Sequence, residues 1–253
     1  MMRMDLNCDV GELPEALADG TQEAILRQVT SANIACGGHA GDPQMMRATI
    51  EQAQLCGTAI GAHPGYEDRA NFGRIALALN SGEIAASVYR QMVALAEIAE
   101  RCGARIGHVK PHGELYNQAS RDREIARAIA EGVARWRRDV TLVGLAGSAM
   151  LEEFRAAGFA VAAEGFADRR YEADGSLRAR KFRDALLHDP AEAAAQALRI
   201  ATEGSVVAAN GAVIALKAET LCIHGDTPGA PQIAAAVRRV LEVAGVTLQA
   251  LGG

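Results

Sequence analysis

Short apolar runs, each closed by polar residues and followed by an amphipathic stretch, recur along the whole sequence. Runs of this length rich in Ile, Val, Ala and Leu read as buried strands. Stretches with apolar residues every three or four positions read as helices. Strands are expected at residues 2–9, 31–36, 58–62, from 106, and at 140–145, 159–163, 221–223 and 247–251. Helices are expected at about 21–29, 42–55, 81–102, 121–136, 149–157, 190–203 and 231–244. Local signals support these bounds: Thr21 and Asp42 suit N-caps, Pro43 suits a first helical position, and Gly57 suits a stop. Asn210-Gly211 predicts a type I′ turn within a small hairpin over residues 205–216.

Strands that alternate with helices pair in parallel. Seven or eight such units in 253 residues match the size of a (β/α) barrel, with an open doubly wound sheet as the alternative. No linker breaks the rhythm, so residues 1–253 are expected to form one barrel domain. The position of the polar residues favours the barrel. Asp9, Glu12, His39, Asp42, His63, Lys110, His112, Asp168, His224 and Asp226 all follow C-terminal strand ends. A closed barrel gathers those ends at one rim, whereas an open sheet keeps the first and last far apart. A single His at such a place reads most simply as a helix cap or loop anchor. The four at 39, 63, 112 and 224, always at the same point of the unit, read as a site.

The densest chemistry lies in Lys110-Pro111-His112-Gly113-Glu114-Leu115-Tyr116-Asn117. Lys110, His112, Glu114 and Tyr116 alternate and would share a face in an extended segment, and Pro111 forbids a helix through its middle. Lys110 suits a carboxylate or phosphoryl oxygen, or, if desolvated, a base or Schiff-base nucleophile. Asp9, His39 and His63 could hold Zn²⁺ or Mn²⁺, or do acid–base work without metal. Of Arg169 and Arg170, one is expected to bind an anion and the other to form a surface ion pair. Cys36 ends an apolar strand and reads as a buried thiol. Walker A, first-strand GxGxxG and GxSxG patterns do not occur.

Composition narrows the class. Apolar residues make up 49% and charged ones 23%, as in a soluble chain with a sizeable core. The net charge of −5 does not suit nucleic acid or an anionic membrane. Five Cys without CxxC spacing suggest reduced thiols. No signal-peptide or bilayer-length apolar run is present, so a cytoplasmic location is expected.

Several long motifs carry a family resemblance. They are Leu6-Asn7-Cys8-Asp9-Val10-Gly11-Glu12, Ala32 through Asp42 with Asn33 and Cys36-Gly37-Gly38-His39, Gly61-Ala62-His63-Pro64-Gly65-Tyr66, Lys110-Pro111-His112-Gly113 with Leu115-Tyr116-Asn117, Phe166-Ala167-Asp168-Arg169 with Tyr171, and Cys222 with His224-Gly225-Asp226-Thr227-Pro228-Gly229-Ala230. Nearly end to end, the chain resembles the LamB/YcsF family, whose members are described as one component of bacterial 5-oxoprolinase. Glu114, where a small residue is usual, and Ile75, where a second Arg is usual, depart from that pattern.

The resemblance implies a deacetylase-like barrel of seven strands. It also implies ATP-dependent opening of 5-oxo-L-proline to L-glutamate, with Mg²⁺ accompanying ATP, in a complex with subunits B and C; self-association stays open. On this reading Asp9, His39, His63, Lys110 and His112 are catalytic. Glu12, Asn33, Tyr66, Tyr116, Asn117, Asp168, Arg169, His224 and Asp226 bind substrate. Two other readings stand beside it: a metal-dependent amide or deacetylase-type hydrolase acting alone, and a non-catalytic component that binds a small acid.

Overall fold

A computed structural model of the chain describes residues 2–251; Met1, Gly252 and Gly253 lie outside the described residues. Seven parallel strands close into a barrel: β1 (Arg3–Val10), β2 (Ser31–Ala35), β3 (Ala59–His63), β4 (Ile106–Val109), β5 (Thr141–Leu145), β6 (Ala160–Phe166) and β9 (Thr220–Ile223). Closure comes from pairing of the first with the last, Asp5 opposite Thr220 and Cys8 opposite Ile223. Two short strands, β7 (Ser205–Val207) and β8 (Val213–Ala215), form a separate antiparallel hairpin, and β10 (Thr247–Leu248) adds to the start of β1.

Helices α1 (Pro14–Ala18), α2 (Thr21–Leu26), α3 (Pro43–Cys56), α4 (Ser81–Arg101), α5 (Gly113–Ala119), α6 (Arg123–Trp136), α7 (Ala149–Ala156), α8 (Pro190–Glu203) and α9 (Ala230–Val243) complete the units. Among the described residues no helix is long and apolar enough to cross a membrane. Asp42 caps α3 by accepting from the Met45 amide at 2.8 Å, so it serves the helix and stays out of the rim cavity. Asn80 and Glu83 form a capping box at α4. Gly20, at φ +84°, and not Thr21, occupies the cap of α2; Asp19 accepts from the Thr21 amide instead.

Three further expectations about local structure change. The segment after Lys110 is extended only to His112, which then caps α5; Pro111 stops a helix before it and not after it. β6 continues three residues past Ala163, so Glu164 lies inside the barrel. The hairpin turn is not type I′, which needs positive φ at both central residues. Only Gly211 has it, at φ +85°, and the connection instead closes through Gly211 N–H to Ala208 O at 2.8 Å.

Side chains alternate across each strand. The outward set, including Leu6, Ile34, Ala62, Leu221 and Ile223, is fully buried under the helices. Each buried Leu or Ile in this set stabilises by about 1.5–3 kcal/mol. The inward set is polar: Asp5, Asn7 and Asp9 from β1, Ser31 and Asn33 from β2, Glu164 from β6, and Thr220 and Cys222 from β9. Gly61 on β3 leaves room for the His108 imidazole, since a Cβ there would lie 2.1 Å from its Nε2.

Candidate active site

The site is built upward from the floor of the barrel. Asp5, 2% exposed, accepts from Thr30 Oγ1 and Ser31 Oγ, each at 2.6 Å, and from Thr220 Oγ1. One layer up, Asn7 Nδ2 donates to Glu164 Oε1 at 3.0 Å and to Thr220 Oγ1 at 2.7 Å. Asn33 Nδ2 donates to Asn7 Oδ1 at 2.7 Å and Asp9 Oδ1 at 2.9 Å, and its own Oδ1 bonds His108 Nε2 at 2.8 Å. Burial holds His108 neutral, pushing its pKa down to about 3.

Lys110 closes this stack from above. Its Nζ lies 2.9 Å from Asp9 Oδ1, 2.9 Å from Glu164 Oε1, 3.0 Å from Cys222 Sγ and 3.3 Å from Asn7 Oδ1. Burial alone would lower the Lys110 pKa. Asp9, Cys222 and Glu164 more than reverse that and hold it well above the ordinary value. Burial likewise raises Asp9, but His63 and Lys110 bring its carboxyl well below the usual range. The pair is therefore ammonium and carboxylate near neutral pH. That makes Lys110 a fixed cation and removes the amine nucleophile considered from sequence. Burial pushes the Cys222 thiol well up, so it stays protonated.

A second group sits beside Asp9. His63 Nδ1 lies 2.7 Å from the Lys110 carbonyl, which fixes that nitrogen as the donor and points Nε2 at Asp9 Oδ2, 3.4 Å away. Glu12 Oε1 lies 2.9 Å from His39 Nε2, 3.6 Å from His112 Nε2 and 3.9 Å from His63 Nε2. The His39 and His112 rings stack at 3.6 Å, with Phe72 edge-on to both. Gly65 and Gly73 allow this approach: a Cβ at either would lie 2.8 Å from His39. Burial lowers the pKa of His39, and burial with the neighbouring imidazoles lowers that of His112 further. His63 goes the other way: burial lowers it, but Asp9 raises it above the ordinary value.

Above these groups opens a cavity of about 400 Å³. It brings together Asp9, Glu12, His63, Lys110, His112, Tyr116, Asn117, Arg169, His224 and Asp226 from the sequence-derived set. Four others stand behind it. Asn33 lies below, and His39 lies behind Glu12. The Tyr66 hydroxyl donates to Gln118, pinning α5. Asp168 is fully buried and holds His224 through Nδ1 at 2.9 Å and the backbone amide at 2.9 Å. Burial would raise the Asp168 pKa, and His224 more than offsets this, so it stays a carboxylate. The stacked Phe166 and His224 rings, with Leu145 and Leu177, give the wall an apolar surface.

The mouth is cationic. Arg74, Arg121, Arg169, Arg180 and Lys181 line it. Arg74 and Arg180 share Asp226, the latter at 3.6 Å. Arg169 is 5% exposed, and burial followed by the neighbouring Arg180 charge pulls its pKa down to about 10. Its Nε has no hydrogen-bond partner, while Arg170 pairs with Glu192 at the surface, 3.7 Å away. Sequence reasoning passed over Asn7, His108, Glu164, Thr220, Arg74, Arg180 and Lys181. Asn7 had a visible signal in its alternation with Asp5 and Asp9; Arg180 and Lys181 sat in a polar loop without one.

A closed parallel (β/α) barrel with buried ionisable groups at the C-terminal rim defines an enzyme-type barrel, where that rim carries the chemistry. The comparisons with known proteins sharpen this. Residues 4–253 match the LamB/YcsF family, and the chain belongs to that family. It is 51% identical over 249 residues to the A subunit of 5-oxoprolinase from Chloroflexus aggregans, covering 98% of this chain and 99% of the relative. The crystal structure of the lactam utilization protein from Thermus thermophilus superposes with a TM-score of 0.91 at 44% identity, covering 99% of this chain and 100% of that one. A family 4 carbohydrate esterase from Streptomyces lividans shares the fold at a TM-score of 0.52 and 9% identity, over 99% of this chain and 93% of its own.

Proposed function

We propose that this chain is the A subunit of an ATP-dependent 5-oxoprolinase, working with subunits B and C to open 5-oxo-L-proline to L-glutamate. The observation that carries this reading is a cationic mouth set over a fixed Lys110–Asp9 ion pair within one cavity. That arrangement suits a small ligand with a carboxylate at one end and a reacting carbonyl at the other. The names of the relatives support the same substrate.

A lactam resists attack because its nitrogen donates into the carbonyl. Transfer of the ATP γ-phosphoryl group to the lactam oxygen gives an O-phosphorylated imidate and ADP. A first water adds to that carbon and the C–N bond breaks, leaving the amine and an acyl phosphate. A second water releases phosphate and glutamate, so the atoms balance with ADP and two waters. Lys110 opposes the negative charge that develops on oxygen during each addition. Asp9 Oδ2 lies at the cavity edge and is placed to take a proton from water, with His63 beside it at 3.4 Å. Arg169, Arg180 and Arg74 hold carboxylate or phosphate, a geometry their guanidinium forks favour. ATP arrives with Mg²⁺, whose oxygen ligands are mainly phosphates and water.

The test is glutamate release from 5-oxoproline by this chain alone and with subunits B and C, with and without ATP. Turnover is expected only with the partners and ATP together. A second reading, a metal-dependent amide hydrolase acting alone, is favoured by the Glu12 and His cluster. It predicts turnover by this chain without ATP, on addition of Zn²⁺ or Mn²⁺.

A further inference from the structure

We infer that Glu12, His39, His63 and His112 form a binding site for one zinc-like divalent transition-metal ion, separate from the Lys110–Asp9 pair. The inference stands on the arrangement of these four side chains and does not depend on which bond the enzyme breaks. Their four ligand atoms lie within 4.8 Å of one another. Zinc bonds imidazole nitrogen and carboxylate oxygen at about 2.0–2.2 Å in a tetrahedron, so its ligands stand roughly 3.3–3.5 Å apart. The separations of 2.9, 3.6 and 3.9 Å from Glu12 Oε1 to the three Nε2 atoms bracket that spacing.

The hydrogen bonding points the same way. His63 is 1% exposed, and its Nε2 has no hydrogen-bond partner although it faces two carboxylates. Its Nδ1 donates to the Lys110 carbonyl, the kind of bond that orients a metal-bound imidazole from behind. One carboxylate oxygen does not satisfy three imidazoles by hydrogen bonds at 2.9, 3.6 and 3.9 Å, since only the first lies within range. The rings are held by packing instead: the stack, the edge of Phe72, and Gly65 and Gly73 beneath. Packing and two hydrogen bonds, His39 to Glu12 and His63 to the Lys110 carbonyl, bring three Nε2 atoms around one carboxylate oxygen, and a small tilt of one stacked ring lets His39 and His112 meet the same ion.

A neighbouring cluster does not qualify. Asp9, Cys222 and His224 also converge, but Lys110 Nζ already lies 2.9 Å from Asp9 and 3.0 Å from Cys222. That group is occupied by a cation of the chain itself, and His224 Nδ1 is taken by Asp168. The chemistry of the chosen set selects the ion: three imidazoles and a carboxylate suit Zn²⁺, Co²⁺ or Ni²⁺ and not Mg²⁺ or Ca²⁺. An ion there would add Lewis acidity beside the cavity, next to Asp9.

The test measures binding, not turnover. The full-length chain is stripped with a chelator, titrated with Co²⁺, desalted and assayed for retained metal and for visible d–d absorption. About one Co²⁺ per chain is expected, displaced by Zn²⁺ and accompanied by a rise in Tm. Glu12→Gln and the paired change His39→Gln with His112→Gln, checked for fold by circular dichroism, should weaken retention at least tenfold. Cys222→Ser should leave retention unchanged. Folded wild-type chain that retains no Co²⁺ overturns the site, whatever the variants do. So does retention that survives both His and Glu changes, or that is lost with Cys222.

Discussion

The two faces of the barrel wall hold together by different means. Outside it, between strands and helices, Leu6, Ile34, Leu95, Ile129 and Leu221 fill an apolar layer by shape alone. Inside it, Asp5, Asn7, Asn33, His108, Glu164 and Lys110 form a column tied together by hydrogen bonds and ion pairs. An apolar layer tolerates exchange when volume is kept. A buried polar column does not, because removing one member strands the others without water. The difference teaches that stability is spread through the outer layer, whereas the inner column concentrates it on a few residues directly beneath the cavity.

The comparison breaks most sharply at Lys110. Lys110→Met should reduce glutamate release by the assembled complex at least a thousandfold, as loss of a major charge-stabilising group does. It should also cost about 3–5 kcal/mol in urea unfolding, because Asp9 and Glu164 stay buried without their cation. Adding Glu164→Gln should restore part of that stability and none of the turnover. Recovery of turnover in the double variant would show that Lys110 serves the fold alone. In the outer layer, Ile129→Ala on α6 should cost about 2–5 kcal/mol by opening a cavity. Turnover per folded molecule should be unchanged, and a kinetic defect would show that the two layers are coupled.

A pH titration sharpens the contrast. The unfolded chain protonates His108 near its ordinary value of 6.5, while the folded chain resists until about 3. Below pH 6.5 the unfolded state therefore binds the extra proton, and stability falls with pH by about 1.4 kcal/mol per unit from this residue. His108→Gln should flatten that part of the stability curve between pH 6.5 and 3, read by urea midpoints. The smallest effect is expected at the periphery. Asp189→Ala removes the cap that accepts from the Ala191 amide at 2.9 Å and should cost about 1 kcal/mol, with turnover unaltered.

The two faces were also unequally legible in the sequence. The outer one announces itself by period, which is why α2–α4, α6–α9 and the barrel strands lie close to their expected places, whereas the short helices α1 and α5 were not expected. His39, His63, Lys110, His112 and His224 were legible because they recur at or just past strand ends; one alone would read as a helix cap or loop anchor. The inner column was not. Glu164 lay past the expected end of its strand, in a run of small residues that gave no sign of extending. Thr220 and His108 have meaning only through partners on other strands. Whether Glu12 or Asp9 faces His39 is a matter of loop path after β1, which spacing along the chain does not encode.

The closure between β1 and β9 has a consequence for how the protein is made. Thr220 bonds Asn7 and Asp5 across separations of 213 and 215 residues, and Cys222 reaches Lys110 across 112. During synthesis the chain up to β6 can leave the ribosome with its helices wound and still have nothing to seal the barrel or complete the lysine's surroundings. A chain that stops before Thr220 therefore lacks the strand that pairs with β1 and the thiol that meets Lys110, so the barrel and the lysine's surroundings are both completed by the last barrel strand to emerge.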